Sequence, residues 1–478
     1  MLPDLVKEQR HFIAFGKSRR TVEVILKEAR DKLDAAGFLS QTDSRKIAGY
    51  RGGYTPLERK EIERKMMSGE LNGLVSTNAL ELGIDIGSLD TTVIVGYPGT
   101  RASFWQQSGR AGRNGQTCVN YLILENQPFD QYIAVEPGWF LKEKVKMRSI
   151  DPDNLLIELA HIRAAAAELP LSLDDAALFP SLGEIIPVLM KAEEVKVWPG
   201  DCLVGSCISR RDYSLRNMDK TRFKLILDNE NREITEMDES QAYHELHPGA
   251  VYMHDGALYE VLKLDLVSRT ATAKSFEGNY YTVPAGTEDI RILQTFQEKT
   301  VERTKIHFGD INVDEVISMF KKLQFHNHQN LGYVSLTQPL QKDYDTESTW
   351  IDIPEDVVRV YRSLLLPNGA GELVLNNHFE GLQNAIKNAA MMVTMTERDD
   401  INTGMSNNAT VQGYVDSGSG ESEGHEVVSL FIYDKYEGGL GYSEKIYELI
   451  PEVIDHAIQM VKGCSCEDGC PACVETIH

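Results

Sequence analysis

No stretch of this 478-residue sequence reaches the ~20 apolar residues that a membrane-spanning helix needs, and the opening MLPDLVKEQRH has no hydrophobic run of signal-peptide type. The two absences lead to the expectation of a cytoplasmic protein with no membrane partner. Cysteine is scarce as well: seven residues, four of them crowded into Cys464–Cys473, do not make a disulfide framework. Basic charge is in the minority. Against 72 Asp and Glu stand 49 Lys and Arg, and the net charge of -23 excludes the uniformly basic surface of a small nucleic-acid-binding domain. A phosphate loop of the form GxxxxGKS or GxxxxGKT is missing, as is any DEAD- or DEAH-like tetrapeptide to hold magnesium. Gly16-Lys17-Ser18 is an accidental match, because His11 stands where that loop requires glycine.

What is present describes a folded chain of several domains. Hydrophobic residues at 42% and charged residues at 25% are ordinary for globular proteins, and the length predicts three or four domains. Charge is unevenly spread. Residues 1–150 carry 22 Lys and Arg against 18 Asp and Glu, net +4, whereas 151–300 carry 15 against 26 and 301–478 carry 12 against 28. The first part alternates strand and helix signals. Phe12–Phe15 reads as a strand, and Val22, Ile25, Leu26, Ala29 and Leu33 recur at helical spacing up to Gly37. Thr55-Pro56-Leu57-Glu58 announces a helix with a capping box, ended by Gly69. Strands over Gly73–Thr77, Thr92–Val95 and Val119–Leu124 complete an α/β lobe with a parallel sheet. A helical segment follows to about 245, with a locally basic stretch that includes Arg216 and suits a phosphate backbone or a solvated surface equally well. From His247 the pattern suggests a small antiparallel barrel to about 300. In the last part, Asn402–Gly424 reads as a surface loop, and Ile446, Leu449, Ile450, Val453, Ile454, Ala457, Ile458 and Val461 as one final helix stopped by Gly463.

Two motifs carry the chemistry. Gln106-Gln107-Ser108-Gly109-Arg110-Ala111-Gly112-Arg113 sets two arginines three apart, which on a helix would present both guanidiniums from one face to a γ-phosphate. Upstream, Ser76-Thr77 runs into Gly83-Ile84-Asp85, where Thr77 can bond a phosphate and Asp85 a ribose hydroxyl. Trp105 reads as a core aromatic, with base stacking as the alternative. At the other end, Cys464, Cys466, Cys470 and Cys473 form a CxCx3CxxC cluster that can wrap a tetrahedral ion, with a structural zinc favoured over an iron–sulfur cluster. Cys118, Cys202 and Cys207 read as buried thiols.

In order and spacing these segments resemble superfamily 2 helicases, with Phe15-Gly16-Lys17-Ser18-Arg19 as motif IV, Ser76–Asp85 as motif V and Gln106–Arg113 as motif VI. Together with Tyr50-Arg51-Gly52-Gly53-Tyr54, the block HPGAVYMHDGALYEV, Phe431-Ile432-Tyr433-Asp434 with Gly438-Gly439, and the cysteines, they resemble the mitomycin repair factor A (MrfA) type over essentially the whole chain. The resemblance implies a second RecA-like lobe (1–148), a helical or winged-helix-like domain (149–245), a small β-barrel-like segment (246–300) and an α+β zinc-binding domain (301–478). It further implies an ATP-dependent 3′→5′ DNA translocase of DNA repair. Arg110 and Arg113 would serve the γ-phosphate, Gln106, Gly83 and Asp85 the nucleotide, and Ser18, Arg19, Thr77, Arg51 and Arg216 the nucleic acid. The expected partners are single-stranded DNA, a separate first RecA-like lobe bringing ATP and magnesium, and repair proteins, for a monomer inactive on its own. A non-catalytic zinc-dependent interaction module and an RNA helicase fragment are the alternatives, since none of these motifs reads a 2′-hydroxyl.

Overall fold

A computed structural model of the chain describes residues 1–35, 46–82, 86–112, 115–142, 154–198, 202–205, 221–228, 230, 232–365, 371–406, 428–467 and 470–474. Helix α1 (Leu2–Lys7) leads into β1 (Phe12–Phe15), and alternation continues through α2 (Arg19–Ala35), β2 (Ile47–Tyr50), α3 (Pro56–Met67), β3 (Gly73–Ser76), β4 (Thr91–Val95), α4 (Arg101–Ser108) and β5 (Val119–Ile123). The five strands pair in parallel in the order β2-β3-β1-β4-β5. Central β1 is buried along its whole length, as a sheet covered on both faces requires. Val22, Leu26, Ala29 and Leu33 of α2 close one face. At the start of α3, the Glu58 N–H donates to Thr55 Oγ1 at 3.3 Å and the Thr55 N–H donates to Glu58 Oε2 at 2.7 Å, which is the expected capping box. Strand β2, four residues with a central glycine, is one the sequence pattern does not announce.

Helices α5 (Pro128–Val135) and α6 (Pro137–Lys142) end the lobe. Next come α7 (Leu155–Glu168), α8 (Leu182–Lys191) and an antiparallel hairpin of β6 (Val195–Trp198) and β7 (Cys202–Gly205), a winged-helix-like order. Their core is Ile162, Ala166, Leu182, Ile185 and Leu189. Strands β8 (Arg222–Leu227) and β9 (Arg232–Asp238), helix α9 (Glu239–Glu245), and strands β10 (Val251–His254), β11 (Ala257–Asp265) and β12 (Thr270–Ser275) follow. The sheet order β10-β11-β12-β8-β9 crosses the boundary expected at 245/246. The reason is the alternation of Phe223, Leu225 and Leu227, which buries β8 against Ala271 and Ala273 of β12.

Three long strands dominate the last part: β13 (Tyr280–Val301), β14 (Thr304–Gln324) and β15 (Asn330–Ile353), with 22, 21 and 24 residues. The boundary expected at 300/301 falls at the hairpin between β13 and β14, turned by Glu302 at φ 55°. Helices α10 (Glu355–Leu365) and α11 (Gly371–Thr394) precede β16 (Ile401–Ser406) and β17 (Val428–Asp434), which complete the order β13-β14-β15-β17-β16. Of the loop expected over Asn402–Gly424, the first five residues are thus strand, and residues 407–424 lie outside the described residues. The single final helix is in fact two, α12 (Tyr442–Glu448) and α13 (Ile450–Lys462), because Pro451 has no N–H to continue a helix and instead sits in the first turn of the second.

One continuous apolar core positions the site. Ile13, Phe15, Tyr97, Phe104 and Phe129 of the lobe share it with Ala389, Met392, Ile432, Ile446 and Val453, so the C-terminal domain packs directly on the second face of the parallel sheet. Among the described residues no helix is long and apolar enough to cross a membrane.

Candidate functional site

Adjacent strands β2, β3 and β1 end at Tyr50, Ser76 and Phe15, and the expected nucleic-acid residues of the lobe directly follow these carboxyl ends. Ser18 is exposed, and its Oγ accepts from the Thr21 N–H at 3.1 Å. Arg19 is half-buried, with Nη1 donating to Gln241 Oε1 on α9 at 2.7 Å. Thr77 caps the one-turn 3-10 helix Asn78–Leu80, its Oγ1 accepting from the Ala79 N–H at 3.4 Å. Lys17 is held by Glu125 at 2.7 Å and lies 3.7 Å from Asp130, which is not the setting of a phosphate-loop lysine.

Arg51 departs from expectation. Its side chain and that of Glu23 are each 1% exposed, and Arg51 Nε donates to Glu23 Oε1 at 2.7 Å. The rest of the guanidinium donates to the Gly52 carbonyl at 3.0 Å, the Met253 carbonyl at 2.7 Å and the Tyr252 hydroxyl at 3.1 Å. Arg51 therefore clamps the lobe to the β10 sheet, with its guanidinium bonded within the protein. Burial pushes the Glu23 carboxyl up, but the Arg51 charge and the Gly256 N–H outweigh it and hold the group below the ordinary carboxylate range.

Motif VI also folds differently from its expected form. Helix α4 ends at Ser108 with Gly109 as its cap, so Arg110 lies beyond the helix. Arg110 is buried, and its Nε donates to the Glu81 carbonyl at 2.9 Å, with Nη2 donating to the same oxygen. Gln107 Nε2 donates to Glu81 Oε2 at 2.9 Å. Gln106 is exposed, and Trp105, at 49% exposure, is a surface indole rather than a core one. Two residues beyond Arg110, the Gly112 N–H donates to the Leu89 carbonyl just ahead of β4. Gly83, Asp85, Arg113, Arg216 and Cys207 lie outside the described residues, as does the side chain of Cys202; Cys118 is half-buried. Glu81 and Gln107 were not singled out by the sequence, although both sit inside the two motifs.

In the C-terminal domain, Asp434 is fully buried and accepts from the Tyr442 N–H at 3.2 Å, the Ser443 N–H at 3.0 Å and Ser443 Oγ at 2.7 Å. It thereby ties the Gly438-Gly439 turn to the start of α12, while burial pushes its carboxyl up to about 6 against these donors. Asn154 Nδ2, ahead of α7, donates to the Gly439 carbonyl at 2.9 Å.

Beyond α13 and Gly463 the four Sγ atoms of Cys464, Cys466, Cys470 and Cys473 lie within 4.8 Å of one another. The Cys464–Cys470 and Cys466–Cys473 pairs are 3.5 Å apart and Cys470–Cys473 3.9 Å. A tetrahedral ion at Zn–S distances of ~2.3 Å sets sulfur atoms about 3.8 Å apart, so the cradle has the right size. The Cys470 N–H also donates to Cys473 Sγ at 3.3 Å, a contact that favours thiolate. Four thiolates leave no position for water, and the site is a structural zinc centre.

Comparison with known proteins agrees with this division. Residues 1–115 match the helicase conserved C-terminal domain and residues 382–474 the MrfA Zn-binding domain. The chain is 32% identical to the uncharacterized ATP-dependent helicase YprA of Bacillus subtilis, over 99% of its own length and 60% of the relative's. It is 26% identical to the ATP-dependent helicase HRQ1 of Saccharomyces cerevisiae, over 99% of the chain and 44% of that protein. The crystal structure of the DUF1998 helicase MrfA bound to DNA superposes with a TM-score of 0.68 at 30% identity, covering 99% of this chain and 60% of that one. A second structure, of MrfA bound to DNA and AMPPNP, gives 0.65 at 28%. The chain thus spans at most 60% of the length of these proteins. A RecA-like lobe with the conserved C-terminal helicase domain, followed by a zinc-binding domain, defines a chain of superfamily 2 helicase class. Within that class it is similar to the MrfA type.

Proposed function

We propose that the chain supplies the second RecA-like lobe and the zinc domain of an ATP-dependent DNA helicase that moves 3′→5′ along single-stranded DNA in the repair of damaged DNA. The observation that carries this reading is the meeting of motifs V and VI at Glu81 and Arg110. On this reading Ser18, Arg19 and Thr77 contact the DNA backbone, and Arg19 exchanges its bond to Gln241 for a phosphate oxygen. Arg216 adds a further phosphate contact. Such contacts need only a local path, which an acidic exterior elsewhere does not oppose.

Arg110 and Arg113 stabilise charge that spreads over the γ-phosphate in the transition state, and Gln106 lies beside the nucleotide with Gly83 and Asp85. ATP and magnesium bind together with a first RecA-like lobe, and the chain acts as a monomer that has no ATPase activity without that lobe. The test joins the chain to a first lobe, in cis or in trans, and measures ATPase with and without single-stranded DNA. DNA-stimulated turnover that Arg110→Ala abolishes is the expected result. Robust turnover by the chain alone, or turnover indifferent to Arg110→Ala, would overturn the reading.

A further inference from the structure

The reading of Arg110 as a γ-phosphate arginine requires something to set its position, and the inference below rests on that reading. We propose that Glu81 is a positioning residue for Arg110. The turn from Thr77 to Glu81 starts at the carboxyl end of β3, where Thr77 caps it, and the Glu81 N–H closes it on the Asn78 carbonyl at 2.9 Å. Leu80, fully buried, pins it into the lobe's core.

Its far end is braced twice against α4. The Glu81 carbonyl receives Arg110 Nε and Nη2 from beyond the helix, and the Glu81 carboxylate receives Gln107 Nε2 from the helix's last turn. Glu81, Gln107 and Arg110 are 8%, 4% and 5% exposed, so water does not replace these bonds freely. A guanidinium with two N–H groups on one carbonyl oxygen takes its direction from that carbonyl. The carbonyl's direction is in turn fixed by the anchored carboxylate of the same residue. At a rise of about 2 Å per residue the turn from Thr77 to Glu81 is about 8 Å long.

The test uses the complete enzyme, this chain together with a first RecA-like lobe, and compares Glu81→Ala, Glu81→Gln, Gln107→Met and the double variant Glu81→Ala/Gln107→Met. The expected result is a fall of at least about tenfold in DNA-stimulated kcat for Glu81→Ala and Gln107→Met, with KM for ATP and affinity for labelled single-stranded DNA kept within about twofold. Glu81→Gln, whose amide oxygen still accepts from Gln107, should return near-parental turnover. The double variant should be no worse than the weaker single variant, because both remove one link. Turnover of Glu81→Ala within about twofold of the parent, multiplied effects in the double variant, or a parallel loss of DNA affinity would each overturn the inference. If Glu81→Ala does not fold, as judged by thermal unfolding, the kcat and KM of Gln107→Met decide alone. Should Arg110→Ala keep its turnover, the reading of Arg110 falls; should Arg110→Ala lose it while Glu81→Ala does not, only this inference falls.

Discussion

Replacing Arg51 with Met should destabilise the protein by about 3–4 kcal/mol, because it strands a buried carboxylate. The magnitude follows from the contacts. Glu23, 1% exposed, loses its cationic partner Arg51 but keeps the Tyr54 hydroxyl at 3.0 Å, the Asp255 N–H at 3.2 Å and the Gly256 N–H at 2.9 Å. Those three donors place the cost toward the lower part of the ~3–5 kcal/mol range for breaking a buried pair. The Met253 carbonyl and Tyr252 hydroxyl lose the same donor group, which adds to it. Removing both charges with Glu23→Gln/Arg51→Met keeps an acceptor for the three donors and should recover more than half of the loss. The pair's pH dependence has a definite sign. Since the Glu23 carboxyl is held below its usual range, its stabilisation is present above the unfolded value near 4.5 and is lost as pH falls through the lower folded value. The assay is urea unfolding followed by circular dichroism, with single-stranded DNA affinity measured on the same samples under native conditions. A cost under about 1 kcal/mol for Arg51→Met would refute the clamp, as would a selective loss of DNA affinity in a protein of unchanged stability.

Three further outcomes follow from the same geometry. His247 is fully buried with no hydrogen-bond partner at Nε2 among the described residues, and burial pushes its imidazole down to about 4. An unfolded histidine takes its proton near 6.5, so stability should be whole above that pH and fall by about 2 kcal/mol by about pH 5, a loss that His247→Phe should remove in paired urea titrations. Cys470→Ser, or removal of zinc by a chelator, should lower the unfolding temperature of the C-terminal domain, and a scan unchanged in that transition would contradict a structural role. Gly112 sits at φ 74°, and a Cβ there would meet Cys118 Sγ at 2.7 Å, so Gly112→Ala should cost about 2 kcal/mol in denaturant unfolding, whereas an unmoved midpoint would show that the turn relaxes.

Local signals were legible in the sequence, and distant ones were not. The capping box at Thr55 and Glu58 and the apolar stripe of α2 are written within a few residues of themselves, and both form. The zinc centre is legible for the same reason, since all four ligands fall within ten residues. The burial of Arg51 was not legible because its partners Glu23, Tyr252 and Met253 lie 28, 201 and 202 residues away. A conspicuous arginine beside Gly-Gly has nothing in its neighbourhood to say that it is buried. The acceptor of Arg110 is a backbone carbonyl, and a carbonyl leaves no mark in a sequence. The long strands β13 to β15 escaped because their pairing shifts register between Ala285 and Gly286, between Ile292 and Gln294 and between Thr295 and Gln297, which breaks the simple alternation by which strands are recognised. One sheet runs across the boundary expected at 245/246 because β8 pairs with β12 over turn-like segments.

The central claim is that this lobe carries the arginine side of a DNA-stimulated ATPase site. Steady-state ATP hydrolysis by the chain joined to a first RecA-like lobe, with and without single-stranded DNA, tests it most directly. Turnover that DNA stimulates, and that Arg110→Ala lowers by about 10²-fold or more without weakening DNA binding, is the predicted result. Equal turnover in the parent and in Arg110→Ala would contradict it.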